Sequence, residues 1–313
     1  MNGAAPDGHV VGTVGALWRY PVKSMLGERV PAVEVTDRGL DGDRRLALVD
    51  RATGKVASAK TPRLWRSLLT CGAALDEDGG GTRITGPDGR VRWSTDPGID
   101  EALSAITGRG VTLTGTPPPD ATLDRSRPEQ VLRAGLDAEV AADVVRFGSG
   151  SPEGTFFDYA PVHLVTTATL ERIAALSPRG AVEAERYRPN LVIDTTGAVG
   201  ETGAVGETGA AESGAGPGAG PGDAGFVEQG WIGAELRIGE RLLLRVICGT
   251  PRCAVPTLAH GRLPCDTEAL KVLAAHHRVP AQAGGDPHPC AGVYAQVLRG
   301  GPVREGDTVS VHL

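Results

Sequence analysis

The chain of 313 residues is short of the features that most often announce a function. Aromatic residues make up 4% of it, too few for the stacked ring platforms that hold single-stranded nucleic acid. Basic residues do not outnumber acidic ones. The net charge is −6 at pH 7 with the two signs interspersed, so no nucleic-acid partner is expected. Nowhere do about 18 apolar residues follow one another, which argues against a membrane-spanning helix and a membrane partner. The first residues, MNGAAPDGHVVGTVGALWRYPVKS, lack the basic stretch and apolar run of a secretory signal. Five cysteines form an odd, sparse set, which speaks against a disulfide scaffold and for a reducing cytoplasm. No Cys-x-x-Cys pair, iron–sulfur cysteine run or dinucleotide-binding glycine fingerprint occurs.

What is present is a succession of short strand patterns broken by turns. Residues 10–22, 30–36 and 44–50 alternate or run apolar, a hairpin turn lies in 51–59, and Pro-Asp-Gly divides two short strands in 84–94. Further strands are expected at 188–194, on both sides of Ile238-Gly239-Glu240, at 293–298 and at 308–313. Helices are expected at 100–108, in the second half of 162–176 where Leu170, Ile173 and Leu176 recur, and at 266–278. Residues 116–158 show no sustained period and suggest an excursion over the surface. Many short strands with few helices imply a mainly β fold with some α (α+β), a barrel or sandwich in type. Residues 195–225 repeat AVGETG and carry Glu201, Glu207, Glu212 and Asp223 with no basic residue. Such a composition cannot offset the entropy of ordering, so a flexible insertion open to proteases is expected there.

Cys253 lies in CGTPRCAVP (248–256), just after an apolar strand. The thiolate is the nucleophilic and metal-binding form of cysteine, and a neighbouring cation such as Arg252 favours it. The competing reading is a small buried hydrophobe. Cys248, Cys253, Cys265, His276, His277, His288 and Cys290 are of zinc-ligand types, but their spacing matches no compact zinc module. Cys248 is expected to be buried at its strand end, with Cys265 and Cys290 along the loop around the site. Asp43, Asp158 and Glu153 are candidate proton donors, and nothing in the sequence singles one out.

YPVKS (20–24), GLDGDRRLALVD (39–50), TPRLW (61–65), RYRPNLVID (186–194), PRC (251–253) and CAGVYAQV (290–297) occur in the order found in MOSC proteins. The chain resembles that family, which includes the C-terminal domain of molybdenum cofactor sulfurase and the mitochondrial amidoxime-reducing component. The likeness covers about residues 10–75 and 150–313 and is weak between them. It implies a MOSC-type β-barrel core plus an N-terminal β-barrel-like domain, divided at 10–115 and 120–313. It also implies a molybdenum–pterin cofactor (Mo-molybdopterin) with Cys253 as metal ligand and catalytic residue. A thiolate is a suitable soft ligand beside the dithiolene of such a cofactor. Lys23 and Ser24 match the family's anion-contacting pair, and Thr166 and Thr167 a hydroxyl-bearing position. Of Arg44 and Arg45, alternation along a strand that starts there favours Arg45 for the site. Arg188 and Asn190, two apart, would share a strand face and reach the pterin, with Arg252 beside the thiol. Relatives often carry Arg or Gln near the position of Lys60, a departure in this chain.

Three functions are compatible with these residues. A molybdenum-dependent oxidoreductase would reduce a small N-hydroxylated or N-oxygenated substrate. Its electrons would come from a separate electron-transfer protein of ferredoxin or flavin-reductase type. A sulfur-transfer protein would carry a persulfide on Cys253. A carrier would bind the cofactor without turnover.

Overall fold

Strand-forming runs of Val, Ile and Leu set the architecture, and seven of them close a barrel. The computed structural model describes residues 8–76, 79–147, 151–196 and 225–312. The barrel strands are β1 (His9–Arg19), β2 (Val162–Thr166), β3 (Leu191–Asp194), β4 (Glu235–Ile238), β5 (Leu242–Pro251), β6 (Pro287–Arg299) and β7 (Thr308–His312). They neighbour one another in the order β2-β3-β1-β7-β4-β5-β6, and β6 returns to pair with β2. Only β2 and β3 are parallel among these neighbours. Parallel neighbours need a crossover, and the helix Thr167–Leu176 supplies it. Its N-cap is Thr166, whose side chain accepts from the Thr169 amide.

Alternate residues of these strands point inward and fill the barrel. Val14, Leu17, Leu164, Leu191, Ile193, Leu236, Leu244, Val293 and Val309 belong to one buried cluster. The first strand is therefore part of the barrel although the next barrel strand begins some 140 residues later in the chain, at Val162. Gly292 shows why one motif residue is glycine. Its φ is +76°, and a Cβ there would lie 2.5 Å from the Leu164 carbonyl oxygen. The β5–β6 register shifts between Val246 and Cys248 and again between Gly249 and Pro251. Bulges of this kind bend a strand at a barrel rim, and here they turn the chain out towards Cys253.

Between β1 and β2 the chain forms a second unit of small sheets. Ala47–Asp50 pairs with Val111–Thr114, and Gly72–Leu75, Thr82–Thr85 and Val91–Trp93 make a three-stranded sheet. Met25, Leu48, Trp65, Leu68, Ile84, Leu103 and Val111 are its buried core. The 116–158 segment, read from the sequence as a surface excursion without a sustained period, contains regular structure. Thr122–Ser126 pairs with Ala142–Arg146 around the helix Pro128–Ala134. That hairpin alternates too weakly to be legible, since Ala142–Val144 lie exposed. The proposed insertion at 195–225 falls, over 197–224, outside the described residues. No helix among the described residues is long and apolar enough to cross a membrane.

Candidate functional site

The end of β1, the beginnings of β2 and β3 and the far end of β5 meet at one end of the barrel. The small-sheet unit covers that end with the loops carrying Lys23, Ser24, Arg44 and Ser58–Lys60. A cavity of about 80 Å3 lies between them. Cys253 forms part of its wall, half-buried against Ala59, Leu69, Val255 and Leu258. The rest of the wall is unusual in charge. Lys23, Arg44, Lys60, Arg125, Arg186, Arg188 and Arg252 line it, against the single carboxylate of Asp158.

Lys23 is the most deeply placed of the two lysines, at 3% exposure. Its ammonium donates to Asp158 Oδ1 at 2.6 Å and to the Phe156 carbonyl at 2.9 Å. Lys60 Nζ reaches the same carboxylate oxygen at 3.0 Å. Burial pulls the Lys23 ammonium down to about 8, opposed by Asp158 and reinforced by Lys60. Burial would raise Asp158, but Lys23 and Lys60 hold it well below the usual carboxylate range. The cluster is thus a carboxylate gripped by two cations, one of them easily neutralised. Ser24, at φ +66°, turns the chain here, and its hydroxyl accepts from the Ala59 amide at 3.1 Å.

A second set of contacts fixes the deeper wall. Arg252 donates to the Ala291 carbonyl at 2.7 Å, the Tyr187 carbonyl at 3.1 Å and His163 Nε2 at 2.6 Å. Because a guanidinium only donates, His163 Nε2 accepts and its Nδ1–H faces the Arg188 carbonyl at 3.2 Å. Burial, then the Arg252 charge, holds this imidazole well below its ordinary value, so it is neutral. Asn190 is tied on every side: Oδ1 accepts from the His163 amide at 3.2 Å, while Nδ2 donates to Asp43 at 3.0 Å and to the Trp18 carbonyl at 3.3 Å. Arg186, fully buried, donates to Glu183 at 2.5 Å and to the carbonyls of Leu258 and Pro264 at 3.2 and 3.0 Å.

Six of the residues singled out in the sequence gather here: Lys23, Ser24, Arg188, Asn190, Arg252 and Cys253 all line the cavity. Three do not. Arg45 is exposed and Arg44 takes the inward place. The alternation argument fails because the strand begins only at Ala47, and Arg44 sits in a turn at φ +47°. Its guanidinium pairs with Asp43 and lies 5.0 Å from the Tyr20 ring centroid. Thr166 caps the crossover helix and donates to buried Glu228 at 2.7 Å, and Thr167 bonds Thr195 at 3.1 Å, both away from the cavity. Arg188 and Asn190 do reach the same wall, but not as strand neighbours. Arg188 is left-handed at φ +55° and the strand starts after Asn190, at Leu191. Sequence reasoning passed over Lys60, His163 and Arg186. The signals were slight: a lysine where relatives differ, a histidine inside the apolar run 162–165, and the first arginine of RYRPNLVID. Cys248 is buried in β5, Cys290 is buried in β6 and Cys265 is exposed, and none of the three lines the cavity. Among the described residues no three His, Cys, Asp or Glu side chains are grouped to hold a metal ion.

Comparison with known proteins follows the same outline. The family model of the MOSC N-terminal beta barrel domain matches residues 11–91, and that of the MOSC domain matches residues 224–310. Among solved structures, the YuaD protein from Bacillus subtilis is similar at 12% identity over 96% of this chain and 95% of that one, with a TM-score of 0.40. YiiM from Geobacillus stearothermophilus is similar at 12% identity over 49% of this chain and 54% of that one, with a TM-score of 0.28. No curated protein matches the chain.

Proposed function

Because the chain belongs to the MOSC family, whose domains are associated with molybdenum cofactor binding and sulfurase-like proteins, we propose that its barrel-end cavity holds a molybdenum–pterin cofactor through Cys253. The observation that carries this reading is the pairing of one thiol with seven basic side chains around a single cavity. Such a wall suits a ligand that combines a soft metal with an anionic phosphate. Among the described residues the cavity offers a metal one cysteine and no grouped ligand set, so the metal would bring other ligands of its own. Lys23, Lys60, Arg44 and Arg188 would meet the phosphate, with Ser24 at the same turn as Lys23. His163, Arg252 and Asn190 act through one another, keeping the Arg188 backbone and the deeper wall in position. At about 80 Å3 the cavity is smaller than a ligand of this size needs. Lys23 and Lys60, which share Asp158 in this structure, would hold the phosphate of the cofactor.

When bound, the cofactor supplies a redox-active metal able to remove oxygen from an N-hydroxylated or N-oxygenated small molecule. The chain orients that group, excludes water from the buried wall and neutralises its charge. Electrons would come from a protein of ferredoxin or flavin-reductase type.

The test is molybdenum and pterin content after production in a host that makes the cofactor. Near-stoichiometric molybdenum in the wild type and its loss in Cys253→Ala is the expected result. Absence of molybdenum together with a persulfide on Cys253 would overturn it in favour of sulfur transfer. Reduction of an amidoxime with chemically supplied electrons then distinguishes an enzyme from a carrier.

A further inference from the structure

On the other side of Arg188 lies a second cavity, of about 360 Å3, whose chemistry is unlike the first. Its walls are flat and apolar: Trp18 and Tyr20 at the end of β1, Leu26 on the following loop, and Leu263. The Arg188 guanidinium lies over the Tyr20 ring at 4.3 Å and extends that flat surface. Burial lowers this guanidinium to about 10, and no hydrogen bond engages it among the described residues. Cavities of this size that bind small molecules combine such walls with a few fixed polar groups.

His260 is the fixed polar group. It lines the cavity at 3% exposure, and its Nδ1 faces the Leu258 carbonyl at 2.9 Å. That contact makes Nδ1 the protonated nitrogen, so Nε2 carries a bare lone pair. Nε2 is buried and has no hydrogen-bond partner among the described residues. A buried ring nitrogen of this kind is ordinarily met by a protein group, a water or a ligand. The position is also rigid. The His260 amide bonds the Leu263 carbonyl at 3.0 Å, the Leu263 amide returns to His260 at 2.9 Å, and Gly261 donates to the Leu69 carbonyl at 3.1 Å. Burial pushes the imidazole down to about 4, which keeps it neutral over the ordinary pH range.

Charge narrows the ligand further. Arg188, Arg262 and Glu185 all line the cavity, so its wall carries charge of both signs. A cation meets two guanidinium groups, and an anion meets Glu185 and the Nε2 lone pair. We propose that this second cavity binds a neutral planar molecule of the aromatic amide or aminoheterocycle class, with an N–H donated to His260 Nε2. The flat face lies against Trp18 and the Tyr20–Arg188 stack, and the carbonyl or ring nitrogen turns towards Arg188. The site stands on this cavity alone and holds whether or not Cys253 takes molybdenum.

Benzamide is the probe, titrated into the full-length, metal-free protein labelled with 15N. Toluene serves as a flat control with no donor, and benzoate as an anionic one. The His260 Nε2 resonance is assigned by its loss in His260→Gln. Expected are saturable benzamide binding, weaker benzoate binding, and an upfield shift of Nε2 as it accepts a hydrogen bond. In His260→Phe, benzamide affinity should fall about tenfold, the scale of one buried hydrogen bond left unmade, while toluene is unaffected. Should that variant fail to fold, the wild-type Nε2 shift decides alone. No saturable benzamide binding, or binding that leaves Nε2 unmoved, overturns the proposal.

Discussion

Residues 184–188 and 251–263 supply walls to both cavities. Towards the barrel end they present Arg186, Arg188, Cys253 and Val255 to a space dominated by positive charge. Towards the other side they present Glu185, Arg188, His260 and Leu263 to a space dominated by flat apolar surface. Left-handed Arg188 is the residue common to both. The difference teaches that a short three-ten turn and one loop can face two chemistries at once. The turn and the loop are tied together through backbone carbonyls of the loop, and those carbonyls need a donor. Arg186 is that donor, reaching Pro256, Leu258 and Pro264 from a fully buried position.

Breaking that clamp should have the largest effect. Arg186→Met keeps the volume but strips the partner from three carbonyls and leaves Glu183, which Arg179 and Arg186 together hold down to about 2, with Arg179 alone. Losing one side of a buried charge network costs about 3–5 kcal/mol. Denaturant unfolding should show that loss, and phosphate binding in the first cavity should fail together with benzamide binding in the second. Failure of only one would mean that the two walls are held independently.

The two regions also differ in how far they were legible. The strand-rich fold could be read from period-2 runs, and the first cavity from six short motifs in register. Lys23, Ser24, Arg188, Asn190, Arg252 and Cys253 all lie within those motifs. Where local geometry broke the period, the reading failed. Arg44, not Arg45, lines the cavity because the chain turns there at φ +47° before the strand begins, and Thr166 lies off the cavity, capping a helix and bonding Glu228. The second cavity had no such motif. It joins the end of β1 to a loop some 240 residues later in the chain, from Trp18 to His260, and no residue in it is chemically conspicuous on its own. Only a buried nitrogen without a partner marks it, and that is a property of the folded chain.

pH should separate the cavities next. Lys23 has an ordinary value of 10.5 and stands at about 8 when folded. Below pH 8 both folded and unfolded chains carry the ammonium, and burial of that charge weakens the folded state. As pH rises from 8 towards 10 the folded chain releases the proton first, so stability is gained relative to Lys23→Met, by at most about 3 kcal/mol. Buried Cys71, Cys248 and Cys290 act in the opposite sense, since burial raises their thiols, and the difference between wild type and Lys23→Met removes their contribution. Over the same range phosphate affinity should fall in the wild type as Lys23 is neutralised. Benzamide affinity should stay level from pH 5 to about pH 9, through the first part of that range, because burial holds His260 down to about 4 and Arg188 at about 10. Parallel loss of both ligands would contradict the division.

The smallest expected effect tests the shared residue itself. Arg188→Lys keeps a positive charge beside the first cavity but removes the planar group that lies over Tyr20. An ammonium satisfies a phosphate as a point charge, whereas a flat ligand loses part of the surface it stacks on. Benzamide should therefore weaken by about 1 kcal/mol, the size of one exchanged cation–π stack, with phosphate affinity within about twofold of the wild type at pH 7. Arg188→Ala should weaken both ligands. If the lysine variant instead loses phosphate and spares benzamide, Arg188 serves the first cavity by the fixed fork of its guanidinium, and the flat wall of the second is made by Trp18 and Tyr20 without it.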